Sequence, residues 1–294
     1  MGFGHRNRDF LHRAGTQNRP GDAESTRDSI APMNSEELQS LQDWFSAYCN
    51  AFSTPVAEDQ RNITIKREHT REVCLNAVRI ARELEWGREE VMLAEAVALF
   101  HDIGRFPQYR QYKTFDDSIS INHAALGAKV LLENSVLRNL PEYARDLIIR
   151  SVTLHNVFSL PAELDDKTLL FAKMIRDADK IDILRVFIEY FEQDEGSRAK
   201  AVALGLPDAP GYSQDVLSRL CRGEMVLKSM LRTQNDFKLL LLAWLYDLNF
   251  TSSLNMVVER DYILKLSEKL PSTDEIIRAV DVVRGYVHGK SLNR

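Results

Sequence analysis

The sequence predicts an all-α protein, and three observations carry that expectation. Apolar residues recur at spacings of three and four over long stretches. No run alternates with the period of two that a half-buried strand shows. Gly and Pro fall mostly between the periodic stretches, where they punctuate helices.

Residues 1–33 are rich in Gly, Arg, Asn, Asp and Ser and read as a disordered tail, with His5 and His12 solvated in it. Order is expected from Asn34, which forms a capping box with Glu37 ahead of the stripe Leu38, Leu41, Trp44, Phe45, Tyr48 and Phe52. Pro55 closes that helix. The second helix is expected over 63–86, with Ile65, His69, Val73, Ala77, Ile80 and Leu84 on its inner face and Gly87 as its stop. The third, over 88–103, is apolar all round near its end (Ala96 to Phe100), which marks it as central. Gly104 and Pro107 then predict a loop carrying Arg105, Tyr109, Arg110, Tyr112 and Lys113.

Further helices are expected from Ser120 or Asn122, over 142–155 and over 167–191. The stretch 196–212 reads as loop, because Gly205, Pro207, Pro210 and Gly211 interrupt it, and 203–212 has the composition of a mobile lid. Helices over about 213–232, 235–250 and 256–288, the last broken at Pro271, complete the chain. The expected organisation is a tail (1–33), a helical domain (34–196) and a helical extension on the same core (197–294). The extension is read as a cap on the site, a homodimer face, or both.

Composition narrows the function classes. With 294 residues, 44% of them hydrophobic, the chain can bury a full core. A net charge of −5 argues against general nucleic-acid binding. Three scattered cysteines (Cys49, Cys74, Cys221) without a CxxC pair argue against a disulfide framework or a thiolate zinc site, and free thiols suit the cytoplasm. The most apolar run, Leu239 to Tyr246, is too short to span a bilayer, so no membrane association is expected.

Six potential metal ligands stand in order along the chain: His69, the adjacent pair His101-Asp102, His123, His155 and Asp179. Imidazole and carboxylate together suit a divalent transition metal such as Mn, Fe, Co, Ni or Zn. A helical protein holds such an ion by converging side chains from several helices. Asp102 sharpens the case, since it follows Val97-Ala98-Leu99-Phe100 at the end of the most apolar helix. An ionised carboxylate buried there requires a cation or a hydrogen-bonded partner.

The local contexts add specificity. Glu68-His69-Thr70, His101-Asp102-Ile103-Gly104-Arg105 and Asp177-Ala178-Asp179-Lys180-Ile181-Asp182 resemble the motifs of the HD superfamily of metal-dependent phosphohydrolases, over about residues 60 to 195. The resemblance implies an HD-type helical bundle with His69, His101, Asp102 and Asp179 as metal ligands. Asn122-His123-Ala124-Ala125-Leu126-Gly127 and Thr153-Leu154-His155 resemble the extra histidines of dinuclear members, which implies one or two ions, with Asp102 a bridge between two. The chain departs from the cyclic-dinucleotide type. Asn156 follows His155 where that type has a second His, and Gly211-Tyr212 is followed by Ser213.

The expected activity is hydrolysis of a phosphoester or phosphoanhydride of a nucleotide or other small phosphorylated substrate by a metal-bound hydroxide. Asp102, Arg105 and Lys180 are expected in catalysis, and Arg105, Arg110 and Lys113 in phosphate binding. Asp177 and Asp182 read as outer partners or surface residues. Two other classes remain open at this stage: a di-iron HD-type oxygenase, which the same six ligands would fit, and a non-catalytic metal-binding signalling module.

Overall fold

The computed structural model describes residues 32–194 and 205–291. Among the described residues there are helices and no strands. The expectations for 1–31 and 195–204 lie outside the described residues. Pro32 and Met33, the last two residues of the expected tail, are described. Met33 is already buried and donates its backbone N–H to Glu89, so the core begins ahead of Asn34.

Helix α1 (Ser35–Asn50) starts where expected. Asn34 accepts from the N–H groups of Glu36 and Glu37, and Glu37 returns the bond to the Asn34 N–H. Its buried face carries Leu38, Leu41, Phe45 and Cys49. Each large apolar side chain so buried contributes about 1.5–3 kcal/mol. The Phe45 and Phe52 rings pack on Phe106.

Helix α2 (Ala57–Glu83) begins six residues before the expected Ile63. The polar run 57–62 carries no apolar stripe, but Glu58 and Asp59 in its first turn favour a helix N-terminus electrostatically. Helix α3 (Arg88–Phe100) is buried over Leu93, Ala94 and Ala96 to Phe100, as its all-apolar sequence requires. The expected loop after it is instead helix α4 (Arg105–Tyr112). Pro107 stands in the first turn, where the missing N–H would have had no helical partner, so it does not break the helix.

A short 3-10 turn (Asp117–Ile119) leads to α5 (His123–Glu133), capped by Asn122, whose side chain accepts from the Ala125 N–H. Helices α6 (Glu142–Leu154) and α7 (Asp166–Glu192) follow. Helix α3 packs on α1, α2, α6 and α7, and α2 packs on α7, so the all-apolar helix is at the centre.

The C-terminal part breaks more often than its periodicity suggests. Helix α8 (Gln214–Cys221) ends eleven residues before the expected 232. Helix α9 (Gln234–Ala243) passes into a 3-10 turn (Trp244–Asp247). The expected helix 256–288 is three: α10 (Thr251–Glu259), α11 (Tyr262–Ser267) and α12 (Asp274–Ser291), with Asp261 in the left-handed region between the first two. Helices α10 and α11 pack on α7, and α10 also on α2. No described helix is long and apolar enough to cross a membrane.

Candidate metal centre

Five helices deliver the six expected ligands to one place. His69 is midway along α2 and Asp179 midway along α7. His101 ends α3 and Asp102 follows it. His123 opens α5 and His155 ends α6. The five residues other than Asp179 are at most 4% exposed. The ligand atoms form two triads, His69–His101–Asp179 and Asp102–His123–His155, each within 4.8 Å.

Gly104 makes the meeting of α3 and α5 possible. A Cβ there would lie 2.1 Å from the His123 carbonyl oxygen and 2.6 Å from the Gly127 nitrogen, both backbone atoms that cannot swing aside. Its φ of −68° is open to any residue, so close approach is the reason for glycine here.

Each imidazole has one nitrogen tied outward. His69 Nδ1 pairs with Asp182 Oδ2 and His123 Nδ1 with Asp117 Oδ2, both at 2.7 Å. His101 Nδ1 donates to the Ala98 carbonyl and His155 Nδ1 to the Val152 carbonyl, again at 2.7 Å. A proton on each Nδ1 leaves every Nε2 lone pair facing inward. There Nε2 of His69 and His101 are 3.3 Å apart, and those of His123 and His155 are 2.9 Å apart. Facing lone pairs at such distances repel unless a proton or a cation lies between them. Ring orientation through an outer carboxylate or carbonyl is also how metal-binding histidines are held. The donor set therefore fits one or two divalent cations.

The carboxylates complete the arrangement. Asp102 Oδ1 lies 3.2 Å from His123 Nε2 and 3.7 Å from His155 Nε2, while its Oδ2 lies 3.6 Å from His69 Nε2 and 3.8 Å from His101 Nε2. One residue thus faces both triads. Burial pushes the Asp102 carboxyl up, but Lys66, Arg105 and His101 hold it well below the usual range. Burial likewise opposes ionisation of Asp179, and His101 and His69 outweigh it. Burial and Lys66 lower the pKa of His69, yet the Asp179 and Asp182 carboxylates raise it to about 9. Burial, aided by His123 and His101, pushes His155 down to about 4.

Residues 67–184 match the family model of the HD domain, a span that contains all six ligands and the groups that hold the four imidazoles. Over these residues the chain is similar to HD domains. HD domains bind divalent metals and belong to a family of metal-dependent hydrolase type. The searches of curated proteins and of solved structures returned no match.

This region opens onto a cleft of about 490 Å³ lined by His123, His155, Asp179 and Asp117 on one side and by Met225–Lys228, Leu240 and Trp244 on the other. Among the described residues, four cations line it: Arg105, Arg176, Lys180 and Lys228. Arg105 bonds Asp102, Asp117 and the Phe115 carbonyl. Arg176 and Lys180 both pair with Asp247, and Lys228 pairs with Asp116. Burial and the neighbouring Arg176 lower the Lys180 pKa.

Two expected phosphate-binding residues are elsewhere. Arg110 donates to the Ala51 carbonyl and stacks on Phe52, and Lys113 pairs with Asp59. Neither lines the cleft. Residues 205–212 of the expected lid do not line it either. They are tied to α9 and α12, through Pro207, Ala209 and Gly211 carbonyls and through Tyr212 on Glu275.

Sequence reading missed Lys66, which donates to Asp102 at 2.8 Å, and the cleft residues Arg176 and Lys228. It also missed Asp117 and left Asp182 between two roles. Asp182 bonds His69 and receives Arg185, and Asp117 bonds His123 and receives Arg105 and Gln108. Asp177 serves structure: it accepts the backbone N–H groups of Asn249 and Phe250, ahead of α10. Replacing either Asp117 or Asp182 by Asn is expected to weaken metal affinity about 10–100-fold, because the imidazole keeps its position but loses its basic partner. A competition titration with a coloured chelator measures it, and wild-type affinity in both variants would refute this role.

Proposed function

We propose that this protein is a metal-dependent phosphohydrolase acting on a phosphoester or phosphoanhydride of a small phosphorylated substrate, a nucleotide or a simpler compound. The observation that carries the reading is the pair of ligand triads, with Asp102 a member of one and facing the other, beside a cleft lined by four cations among the described residues. His69, His101 and Asp179 would hold one ion and His123, His155 and Asp102 a second, with Asp102 reaching both. Divalent ions there would neutralise phosphoryl charge and acidify water.

The chain's own residues supply the rest. Lys66 and Arg105 keep Asp102 ionised at neutral pH. Arg105, Arg176, Lys180 and Lys228 each have a carboxylate partner, so the cleft is near balance before ions bind and becomes positive once they do. A phosphate entering it can take charge-assisted hydrogen bonds from these side chains.

The test is a screen of mono-, di-, cyclic and dinucleotides and simple phosphoesters, with elemental analysis and oxygen uptake followed on the same preparation. Phosphate or nucleotide release that stops on chelation and returns with one metal is the expected result. Oxygen consumption during turnover would instead favour the di-iron oxygenase, and bound metal without any turnover the signalling module.

A further inference from the structure

The polar cleft is continuous with a second, apolar cavity of about 230 Å³, because Arg105, Phe115, Ile183, Lys228, Leu240 and Trp244 line both. His69 and Lys66 also line the second cavity, which places it against the His69 triad. Its remaining walls are Ile65, Val186, Phe187, Leu231 and Phe237. The polar side chains on it are Lys66, His69, Arg105, Lys228 and the Trp244 indole. The first four belong to the seam with the metal centre, where each has a carboxylate partner. Among the described residues, no carboxylate, amide or hydroxyl side chain lines this cavity.

That lining discriminates among substrates. A nucleobase carries donors and acceptors on its edge, and burying them without partners costs free energy. An apolar ring carries none. Phe187 and Phe237 meet edge to face with centroids 4.5 Å apart, and Phe115 and Trp244 add two more aromatic surfaces, a setting suited to a flat ring. An engineered apolar cavity of about 150 Å³ holds benzene. The volume here accommodates one ring or two fused rings.

We infer that the substrate is a phosphoester of a small aromatic body, with its phosphoryl group at the two ligand triads and its ring in the apolar cavity between Val186, Phe187, Phe237 and Trp244. This rests on the phosphohydrolase reading and narrows it away from nucleotides. Val186, half-buried on α7, is the wall residue best suited to a test, since it is neither a ligand nor a partner of one.

Binding of methylphosphonate, 2-naphthylmethylphosphonate and the 5′-methylenephosphonate analogue of adenosine monophosphate to the metal-loaded full chain can be measured by calorimetry. The naphthyl compound is expected to bind on the order of 30-fold tighter than methylphosphonate, and about 10-fold tighter than the adenosine compound. Val186→Trp, which fills the cavity, should reduce the naphthyl-to-methyl ratio to below about 3. Val186→Ala cannot clash, and by removing two methyl groups from the wall it should lower the ratio about 4-fold. Metal content and melting temperature identify a misfolded variant. Equal affinity for the naphthyl and methyl compounds, tighter binding of the adenosine compound, or a ratio that neither variant changes would overturn the inference while leaving phosphoester hydrolysis intact. If no phosphoester is hydrolysed and no phosphonate binds, yet 2-naphthylmethanol binds in a Val186-dependent way, the hydrolase reading fails and the apolar cavity remains a ligand site.

Discussion

Substituting Asp102 by Asn is expected to lower metal content to at most one ion per chain and to reduce hydrolysis about a thousandfold, the equivalent of roughly 4 kcal/mol. Asn has nearly the same shape, so the fold should survive and the loss should be electrostatic. Asp102 is the one side chain that faces both triads, Oδ1 toward His123 and His155 and Oδ2 toward His69 and His101. It is also the only acid partner of Lys66 among the contacts at the centre, and it shares Arg105 with Asp117. Removing its charge leaves two cations facing four imidazoles with Asp179 as the remaining inward carboxylate. Repulsion then opposes any divalent ion, so affinity at both positions should fall together. Elemental analysis, chelator competition and phosphate release on one preparation separate the effects. Two ions retained with full turnover would remove Asp102 from the centre of the proposal.

The parts of the site that could be read from sequence are those whose signal is local. His101-Asp102 stands at the end of an all-apolar helix, and that context alone marks a buried charge needing a partner. The capping box at Asn34 and the cap at Asn122 are short-range hydrogen-bond patterns, and both are present. The missed parts have partners far along the chain. Lys228 meets Asp116 across 112 residues, and Lys66 meets Asp102 across 36, with nothing in either neighbourhood to announce it. Asp117 lies in a short turn whose geometry no periodicity reports.

The error at 105–113 has a physical cause. Arg105, Arg110 and Lys113 read as one basic loop because a proline in sequence suggests a helix break at 107. On a helix, Arg110 is about 140° around the axis from Arg105, so the two cannot serve one site. Lys113 follows the last helical residue in a left-handed conformation and turns to Asp59. The same weakness appears at Asp261, where positive φ separates α10 from α11 within an unbroken apolar pattern.

Freed of metal, the protein should be most stable near pH 6.5 and weaken on both sides, for opposite reasons. The His69 pKa stands at about 9, raised by Asp179 and Asp182 above the ordinary 6.5. The folded chain therefore binds this proton more tightly than the unfolded one. That contribution is complete below about pH 6.5 and disappears as pH rises through 9; at 1.36 kcal/mol per pKa unit it is roughly 3 kcal/mol. His155 is displaced the other way, to about 4, by burial and by His123 and His101. The unfolded chain takes up its proton first, so this contribution is complete above about pH 6.5 and is lost as pH falls toward 4, again by roughly 3 kcal/mol. Against a total of about 5–15 kcal/mol for a typical domain, either limb should be visible in urea melts. Metal changes the alkaline limb. Coordination requires neutral imidazole, so binding displaces the His69 proton and strengthens as pH approaches 9. The stability gap between loaded and metal-free protein should accordingly widen across pH 6.5–9, reaching about 2.7 kcal/mol or more at a hundredfold excess of metal over its dissociation constant. Asp182→Asn, which removes one of the carboxylates holding that proton, should flatten the alkaline limb of the metal-free protein and leave the acid limb in place. A metal-free profile that is level from pH 6.5 to 9.5 would show that the Asp179 and Asp182 carboxylates do not hold a proton on His69, and that the inward nitrogens are kept apart by some other means.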